Sequence, residues 1–155
     1  MTESAKEHIP IASDHAGFEM KEKIAKTLSA LGFDVQDLGT SSPASTDYPD
    51  FGHPLAEEVS NGEVKRGVLL CGTGLGMSYV ANRHPHVRAA VAWTPEIASL
   101  ARKHNDANVL VLPARFISDE DGVAILKAWL DTPFEGGRHE RRVEKIELDD
   151  EDGSK

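Results

Sequence analysis

The sequence predicts an α/β protein in which a five-stranded parallel sheet lies between layers of helices. Short apolar runs alternate with amphipathic segments along the chain, which is the pattern of strands joined by helices. The run Val109–Leu112 is unbroken in apolar character, as expected for a strand covered on both faces. At 155 residues the chain is long enough for one domain, which we place at residues 1–148, before an acidic tail at 149–155.

The elements follow from local signals taken in order. Gly32 ends the first predicted helix. Thr94, Pro95 and Glu96 give another helix its N-cap, its first-turn proline and its acidic first turn. The predicted strands are 8–13, 34–38, 67–70, 87–92 and 108–112. The predicted helices are 18–31, 52–60, 77–82, 95–103, 118–130 and 138–148.

Composition narrows the classes of partner and compartment. A net charge of −9 argues against a general nucleic-acid binder. The single cysteine excludes an internal disulfide and suits a reducing cytoplasm. No apolar run is long enough to cross a membrane, and residues 1–8 lack the apolar segment of a secretory signal. We therefore expect a cytoplasmic protein without nucleic-acid or membrane partners, with the acidic tail as a solvated end.

A glycine-rich stretch follows the third predicted strand. Gly72, Gly74 and Gly76 alternate with other residues, so the backbone there turns sharply and comes close to a ligand. Oriented N–H groups in such a turn form a site for negative charge. Cys71 stands at the end of the strand, at the rim of this cradle. It is either a catalytic group beside an anion site or a buried cysteine before an ordinary turn.

Other reactive side chains follow the predicted strands. Asp14 and His15 follow the first strand, Tyr48 lies in the loop after the second, and Arg115 follows the fifth. Ligands of parallel sheets bind beyond the carboxyl ends of the strands. We therefore expect these four side chains to lie at one edge of the sheet, with Cys71.

Later helices carry further candidates. His104 lies seven residues after Ile97 and four after Leu100, which predicts that it shares the buried face of its helix. It is either a hydrogen-bonded core histidine or an acid–base group. Arg138 and Arg142 are one helical turn apart. They form either a phosphate-binding pair or a solvated basic patch.

Several cofactor sites are excluded by spacing. The chain has no HExxH or CxxC pattern, so we expect no metal. The spacing of Gly72, Gly74 and Gly76 differs from the dinucleotide fingerprint and follows the third strand instead of the first. No Gly-Lys-Ser/Thr follows these glycines, so they are not a P-loop. We expect no cofactor.

Five stretches together resemble the B-type ribose-5-phosphate isomerases, a family that also contains the galactose-6-phosphate and allose-6-phosphate isomerases. They run in the family's order between residues 8 and 147. The stretches are 13–18, 46–49, 71–78 with Ala81 and Asn82, 102–109, and 135–143.

The resemblance implies a Rossmann-like αβα sandwich and metal-free aldose–ketose isomerisation through an enediolate. The reaction it implies first is that of ribose 5-phosphate and ribulose 5-phosphate, in the pentose phosphate pathway. Isomerisation of a six-carbon sugar phosphate, such as allose 6-phosphate or galactose 6-phosphate, is the alternative. A non-catalytic sugar-phosphate sensor on the same fold is a third possibility.

The resemblance also assigns roles. Cys71 is the base that moves a proton between C1 and C2, and Thr73 assists proton transfer between the two oxygens. His104, helped by Asp14, opens the furanose ring. The implied substrate contacts are His15, Tyr48, Gly72, Gly74, Leu75, Gly76, Asn105, Arg115, Arg138 and Arg142.

Three features refine these expectations. Some relatives lack the cysteine and carry a glutamate in the cradle, but Met77 stands at that position here, which leaves Cys71 as the base. We expect the cradle's N–H groups to favour its thiolate.

Pro113 stands where relatives usually carry a glycine before Arg115. The family's sites are shared between subunits, which implies a homodimer or a dimer of dimers, with the last helix reaching a partner.

Overall fold

Five parallel strands form one sheet in the order β2-β1-β3-β5-β4. The computed structural model describes residues 5–148, so the predicted acidic tail lies outside the described residues. The strands are β1 His8–Ser13, β2 Asp34–Asp37, β3 Gly67–Cys71, β4 Ala89–Val91 and β5 Val109–Pro113. The helices are α1 Phe18–Ala30, α2 Pro49–Ser60, α3 Leu75–Ala81, α4 Pro95–Asn105, α5 Asp119–Asp131 and α6 Arg138–Glu144.

The sheet is covered on both faces, which confirms the predicted three-layer α/β fold. Side chains alternate along β3, so Val68 and Leu70 join one core while Leu69 and Cys71 join the other. The first core contains residues of α1, α4 and α5, and the second contains residues of α2 and α3. Cys71 therefore points into the layer that α2 and α3 cover.

The register of the central strands defines two edges of the sheet. Cys71 pairs with Pro113 at the carboxyl ends of β3 and β5, and Gly67 pairs with Val109 at their amino ends. The turns after β1, β2, β3 and β5 lie at the carboxyl edge. The end of α4 lies at the amino edge, because only residues 106–108 separate it from β5.

Among the differences between observed and predicted helix boundaries, three concern α2, α3 and α6. Helix α2 begins at Pro49 instead of 52, because a proline is accepted at the first helical position. Helix α3 begins at Leu75, inside the glycine-rich stretch. Helix α6 ends at Glu144, so residues 145–148 are not part of it.

The predicted burial of the His104 face is wrong. Ile97 is 42% exposed and Leu100 is 36% exposed, while His104 itself is half-buried. Helix α4 packs through its small residues, Ala98 and Ala101, because these allow a close approach to the rest of the fold. Within residues 5–148, no helix combines the length and apolar character needed to cross a membrane.

Candidate active site

The glycine cradle depends on one left-handed residue. Gly74 has φ +80°, and an added Cβ there would lie 2.9 Å from Val91 Cγ1. The amide of Leu75 donates to Thr73 Oγ1 at 3.1 Å, and the amide of Ser78 donates to the Gly74 carbonyl at 3.0 Å. The chain therefore passes from β3 into α3 through a turn that only glycine accommodates at position 74.

The turns after β1 and β5 are hydrogen-bonded to the end of β3. The amide of Asp14 donates to the Leu70 carbonyl at 3.4 Å. The amide of Ala114 donates to the Cys71 carbonyl at 2.9 Å, and that of Arg115 to the Gly72 carbonyl at 3.0 Å. The expectation that side chains following β1, β3 and β5 meet at one edge is therefore confirmed.

The turn after β1 packs directly on β3. An added Cβ at Gly17 would lie 2.8 Å from Leu70 Cβ, so the two backbones are as close as a glycine allows. Asp14 is buried, and its Oδ1 accepts a hydrogen bond from the Gly17 amide at 3.1 Å. The carboxylate is therefore held in place beside the cradle.

His15 is oriented by Thr46, a residue that the predicted site did not include. The Thr46 amide donates to His15 Nδ1 at 3.1 Å, and the His15 amide donates to Thr46 Oγ1 at 3.1 Å. Because Nδ1 accepts, the proton of the neutral ring is on Nε2. His15 therefore presents an N–H donor to a ligand. The sequence signal for Thr46 was its place in the 46–49 stretch.

Tyr48 and Arg115 lie against the cradle. An added Cβ at Gly76 would lie 2.6 Å from Tyr48 Cε1, and one at Gly72 would lie 3.2 Å from Arg115 Cδ. Pro113 is the last residue of β5, and the hydrogen bond from Arg115 to Gly72 follows it directly. The proline therefore leaves Arg115 at the cradle.

Cys71 is 4% exposed and belongs to the core covered by α2 and α3. Burial raises the pKa of its thiol above the ordinary value, and the charge of Asp14 raises it further. The amides of Met77, Gly74 and Thr73 lower it, but by less than burial raises it. The amides therefore favour the thiolate, as expected, but desolvation outweighs them in the single chain.

A second group of predicted residues surrounds the end of α4. The ring of His104 stacks on that of His139, with centroids 4.4 Å apart and planes at 21°. Glu135 Oε1 lies 3.6 Å from His139 Nε2, and the Glu135 amide donates to the Lys103 carbonyl at 3.1 Å. Burial lowers the pKa of His139, and the nearby charge of Arg138 lowers it further.

Glu135 and His139 were missed as functional candidates, although both lie in the 135–143 stretch. Their spacing of four residues was the available signal. Asn105, Arg138 and Arg142 are exposed near this group.

The two groups lie at opposite edges of the sheet. Asp14, His15, Tyr48, Cys71 and Arg115 are at the carboxyl edge, and the His104 group is at the amino edge. A five-residue strand spans about 13 Å, so the length of the central strands separates the two groups within one chain.

The cavity of about 820 Å³ lies away from the cradle. It is lined by residues 82–90, by the end of α4 and by residues 146–148. Asn105 is the predicted site residue that it contains. This cavity opens beside the amino-edge group and does not include Cys71.

The fold and the cradle define a Rossmann-like α/β protein, and comparison with known proteins identifies its family. The Ribose/Galactose Isomerase family matches residues 9–146. Ribose-5-phosphate isomerase B of Escherichia coli is 44% identical over 138 residues, covering 89% of this chain and 93% of the relative.

Solved structures support the same family assignment. A ribose 5-phosphate isomerase of Thermotoga maritima superposes with a TM-score of 0.89 at 50% identity, covering 92% of this chain and 99% of that one. Ribose-5-phosphate isomerase B of Mycoplasma genitalium, solved with bound ribulose-5-phosphate, gives 0.88 at 42% identity, covering 92% and 95%. The chain therefore belongs to the ribose/galactose isomerase family and is an aldose–ketose isomerase.

Proposed function

We propose that this enzyme interconverts D-ribose 5-phosphate and D-ribulose 5-phosphate through an enediolate, as a cytoplasmic step of the pentose phosphate pathway. The observation that carries the proposal is the thiol of Cys71 at the end of β3, directly before the amides of residues 72–76. The names of the relatives support the five-carbon substrate, since both the Escherichia coli and Thermotoga maritima proteins are ribose-5-phosphate isomerases.

The first step opens the furanose ring. His104 gives a proton to the ring oxygen while the Asp14 carboxylate accepts the proton of the C1 hydroxyl. Asp14 is suited to this role because the Gly17 amide fixes one of its oxygens and leaves the other free to accept.

The second step moves a proton between carbons. The Cys71 thiolate takes the proton from C2 of the open aldose and returns it to C1. The amides of residues 72–76 hold the charge that develops on the enediolate oxygen. The Thr73 hydroxyl, next to this oxygen, passes a proton between O1 and O2.

The phosphate is held by N–H donors from both edges of the sheet. His15 contributes its Nε2 proton, and Arg115 contributes its guanidinium beside the cradle. Arg138 and Arg142 hold the phosphate from the other side with charge-assisted hydrogen bonds. Tyr48 and Asn105 contact the sugar.

These roles require two copies of the chain, because one chain keeps Cys71 and His104 at opposite edges. The cradle of one copy receives His104, Arg138 and Arg142 from its partner, and α6 extends toward that partner. The resulting assembly is a homodimer or a dimer of dimers.

Exposed apolar side chains support this assembly. Trp93 is 49% exposed and lies two residues before α4, on which Ile97 and Leu100 are also exposed. On α3, beside the cradle, Leu75 is 41% exposed and Tyr79 is 64% exposed. Exposed apolar surfaces of this kind are typical of protein–protein interfaces.

The partner's arginines also bring positive charge close to the thiol of Cys71. Burial and Asp14 raise the pKa of the thiol. Positive charge close to a thiol lowers its pKa. Assembly therefore brings cations that offset part of the effect of burial on the thiol.

A comparison of substrates tests the proposal. The purified protein is assayed with ribose 5-phosphate, allose 6-phosphate and galactose 6-phosphate, and kcat/KM is expected to be highest for ribose 5-phosphate. The Cys71→Ala protein, purified in the same way, controls for contaminating isomerases. Faster turnover of a six-carbon sugar would overturn the five-carbon assignment, and ligand binding without any turnover would favour a sensor.

A further inference from the structure

Three side chains with metal-ligating atoms converge at the amino edge of the sheet. His104 is in the last turn of α4, His139 is in the first turn of α6, and Glu135 lies in the loop before α6. One ligand atom of each lies within 4.8 Å of the others. The hydrogen bond from the Glu135 amide to the Lys103 carbonyl fixes the loop against α4, so the cluster is part of the folded structure.

An unsatisfied buried nitrogen points into this cluster. His139 is 7% exposed, and within residues 5–148 its Nε2 has no hydrogen-bond partner. The Glu135 carboxylate oxygen is 3.6 Å away, too far for a hydrogen bond. Buried polar atoms are normally paired, so an unpaired one next to a carboxylate and a second imidazole suggests a missing ligand.

We propose that His104, Glu135 and His139 bind a transition-metal cation of the Zn²⁺ type, and that the cation inhibits the enzyme. Two imidazoles and a carboxylate form a complete three-residue zinc ligand set, with a fourth position for water. Imidazole nitrogens favour zinc, copper or nickel over calcium or magnesium.

The movements required are small. Zinc–nitrogen bonds of about 2.0–2.1 Å bring two ligating nitrogens to about 3.4 Å from each other. His139 is fixed by burial, whereas His104 is half-buried and Glu135 is exposed, so these two adjust. Their adjustment tilts the His104 ring away from its stacked position.

The charges nearby limit the affinity. Glu135 contributes one negative charge to the cluster, whereas Arg138 and Arg142 on α6 oppose a cation. We therefore expect a micromolar site that fills reversibly, in contrast to the tighter structural sites that lack adjacent guanidiniums.

The inhibition rests on the proposed function, because it depends on His104 opening the sugar ring. A cation on the His104 ring holds the ring away from its stacked position, so that the ring no longer exchanges a proton with the substrate. Zinc is then expected to inhibit in competition with ribose 5-phosphate, and EDTA to leave the activity intact or to raise it.

Binding is measured first, without reference to activity. The full-length protein, treated with a chelator, is titrated with Zn²⁺ against a chromophoric chelator and with Co²⁺ by visible absorption. His139→Gln and Glu135→Gln are each expected to weaken binding at least about tenfold, since even outer-shell losses reach that size. His53→Gln is the matched control, because His53 pairs with His84 on another surface through nitrogens 2.8 Å apart.

The outcomes separate the two proposals. Equal zinc affinity in the wild type and both cluster variants overturns the metal site, as does loss of binding in His53→Gln or a sulfur-to-cobalt charge-transfer band from Cys71. Zinc binding at the cluster in a protein that turns over no sugar phosphate leaves the site standing and refutes the proposed function. If micromolar zinc binds the cluster but does not reduce turnover, the proposed inhibitory role of the cation is overturned.

Discussion

The ring of Tyr48 fills the space that a side chain at Gly76 would occupy. An added Cβ at position 76 would lie 2.6 Å from Tyr48 Cε1 and 2.7 Å from Tyr48 Cζ. Gly76 lies within α3, so its backbone conformation is open to any residue. The glycine is therefore required by the approach of Tyr48, and the ring is placed against the cradle because residue 76 has no side chain.

Gly76→Ala is expected to displace Tyr48 and to leave the fold intact. Tyr48 is 38% exposed, so its ring can move into solvent instead of forcing the backbone apart. KM for ribose 5-phosphate is expected to rise about tenfold, which corresponds to roughly 1.4 kcal/mol of substrate binding. Gly122→Ala is the control, because its Cβ meets the flexible Met20 Sδ at 3.1 Å, in the core on the face of the sheet opposite to Cys71. An unchanged KM in Gly76→Ala would remove Tyr48 from the substrate site.

Cys71→Ala is expected to abolish isomerisation while sparing phosphate binding. Loss of a general base reduces turnover by about 10²- to 10⁴-fold. The phosphate contacts come from other residues, so calorimetric titration with inorganic phosphate is expected to give an affinity close to that of the wild type. Near-normal activity in this variant would show that another group is the base.

The reactivity of Cys71 is expected to depend steeply on pH. The thiolate is the nucleophile, and burial raises the pKa of this thiol, so the thiolate fraction increases with pH throughout the neutral range. Alkylation by iodoacetamide, followed by mass spectrometry in the absence of substrate, is expected to accelerate about tenfold per pH unit from pH 7 to 9. A rate that levels off below pH ~8.5, the ordinary value for a cysteine, would show that cations already outweigh burial in the assembled enzyme.

Arg142→Ala is expected to raise KM strongly, because the substrate phosphate loses a charge-assisted contact. A loss of about 1.5–3 kcal/mol, typical of a hydrogen bond to a charged group, corresponds to an increase of roughly 10- to 100-fold. Arg141→Ala removes the same charge from the adjacent position of α6, which faces another direction, and serves as the control. Equal KM values for the two variants would contradict the assignment of Arg142.

Co-expression of two inactive variants tests whether the site is shared. A heterodimer of Cys71→Ala and His104→Ala chains has one intact site and one doubly altered site. With random pairing, roughly a quarter of the wild-type sites are restored, because half of the dimers are mixed.

The pair Cys71→Ala and Asp14→Asn provides the matched control. Both residues lie at the carboxyl edge, so every site in that mixture keeps one defect. Activity that returns in neither mixture would place the whole site within one chain.

Much of the fold was accessible from the sequence because its signals are local. Caps, prolines and apolar runs marked five strands and six helices within the described residues. The order of strands was not accessible, because the placement of β4 outside β5 depends on contacts between distant segments. The face of α4 was misjudged for a related reason. Periodicity groups Ile97, Leu100 and His104 on one face, but it does not say whether another part of the chain covers that face.

The sequence supplied the residues of the candidate site but not their arrangement. The resemblance supplied both groups of residues, and the turns after β1, β3 and β5 are joined as expected. The position of His104 ahead of β5 was a signal that it lies at the amino edge. The direction in which the pKa of Cys71 shifts could not be predicted from the sequence, because the cost of burying a thiolate depends on the packing of α2 and α3 around it.

The contact between Gly17 and Leu70 joins the carboxyl edge of the sheet to the hydrophobic interior. Leu70 is fully buried next to Cys71 in the chain, and the Asp14 turn rests on its backbone. A smaller residue at position 70 would loosen the packing and shift acid and thiol together. The stability of the fold and the turnover of the enzyme therefore depend on the same contact. Variants selected for one of these properties are expected to change the other.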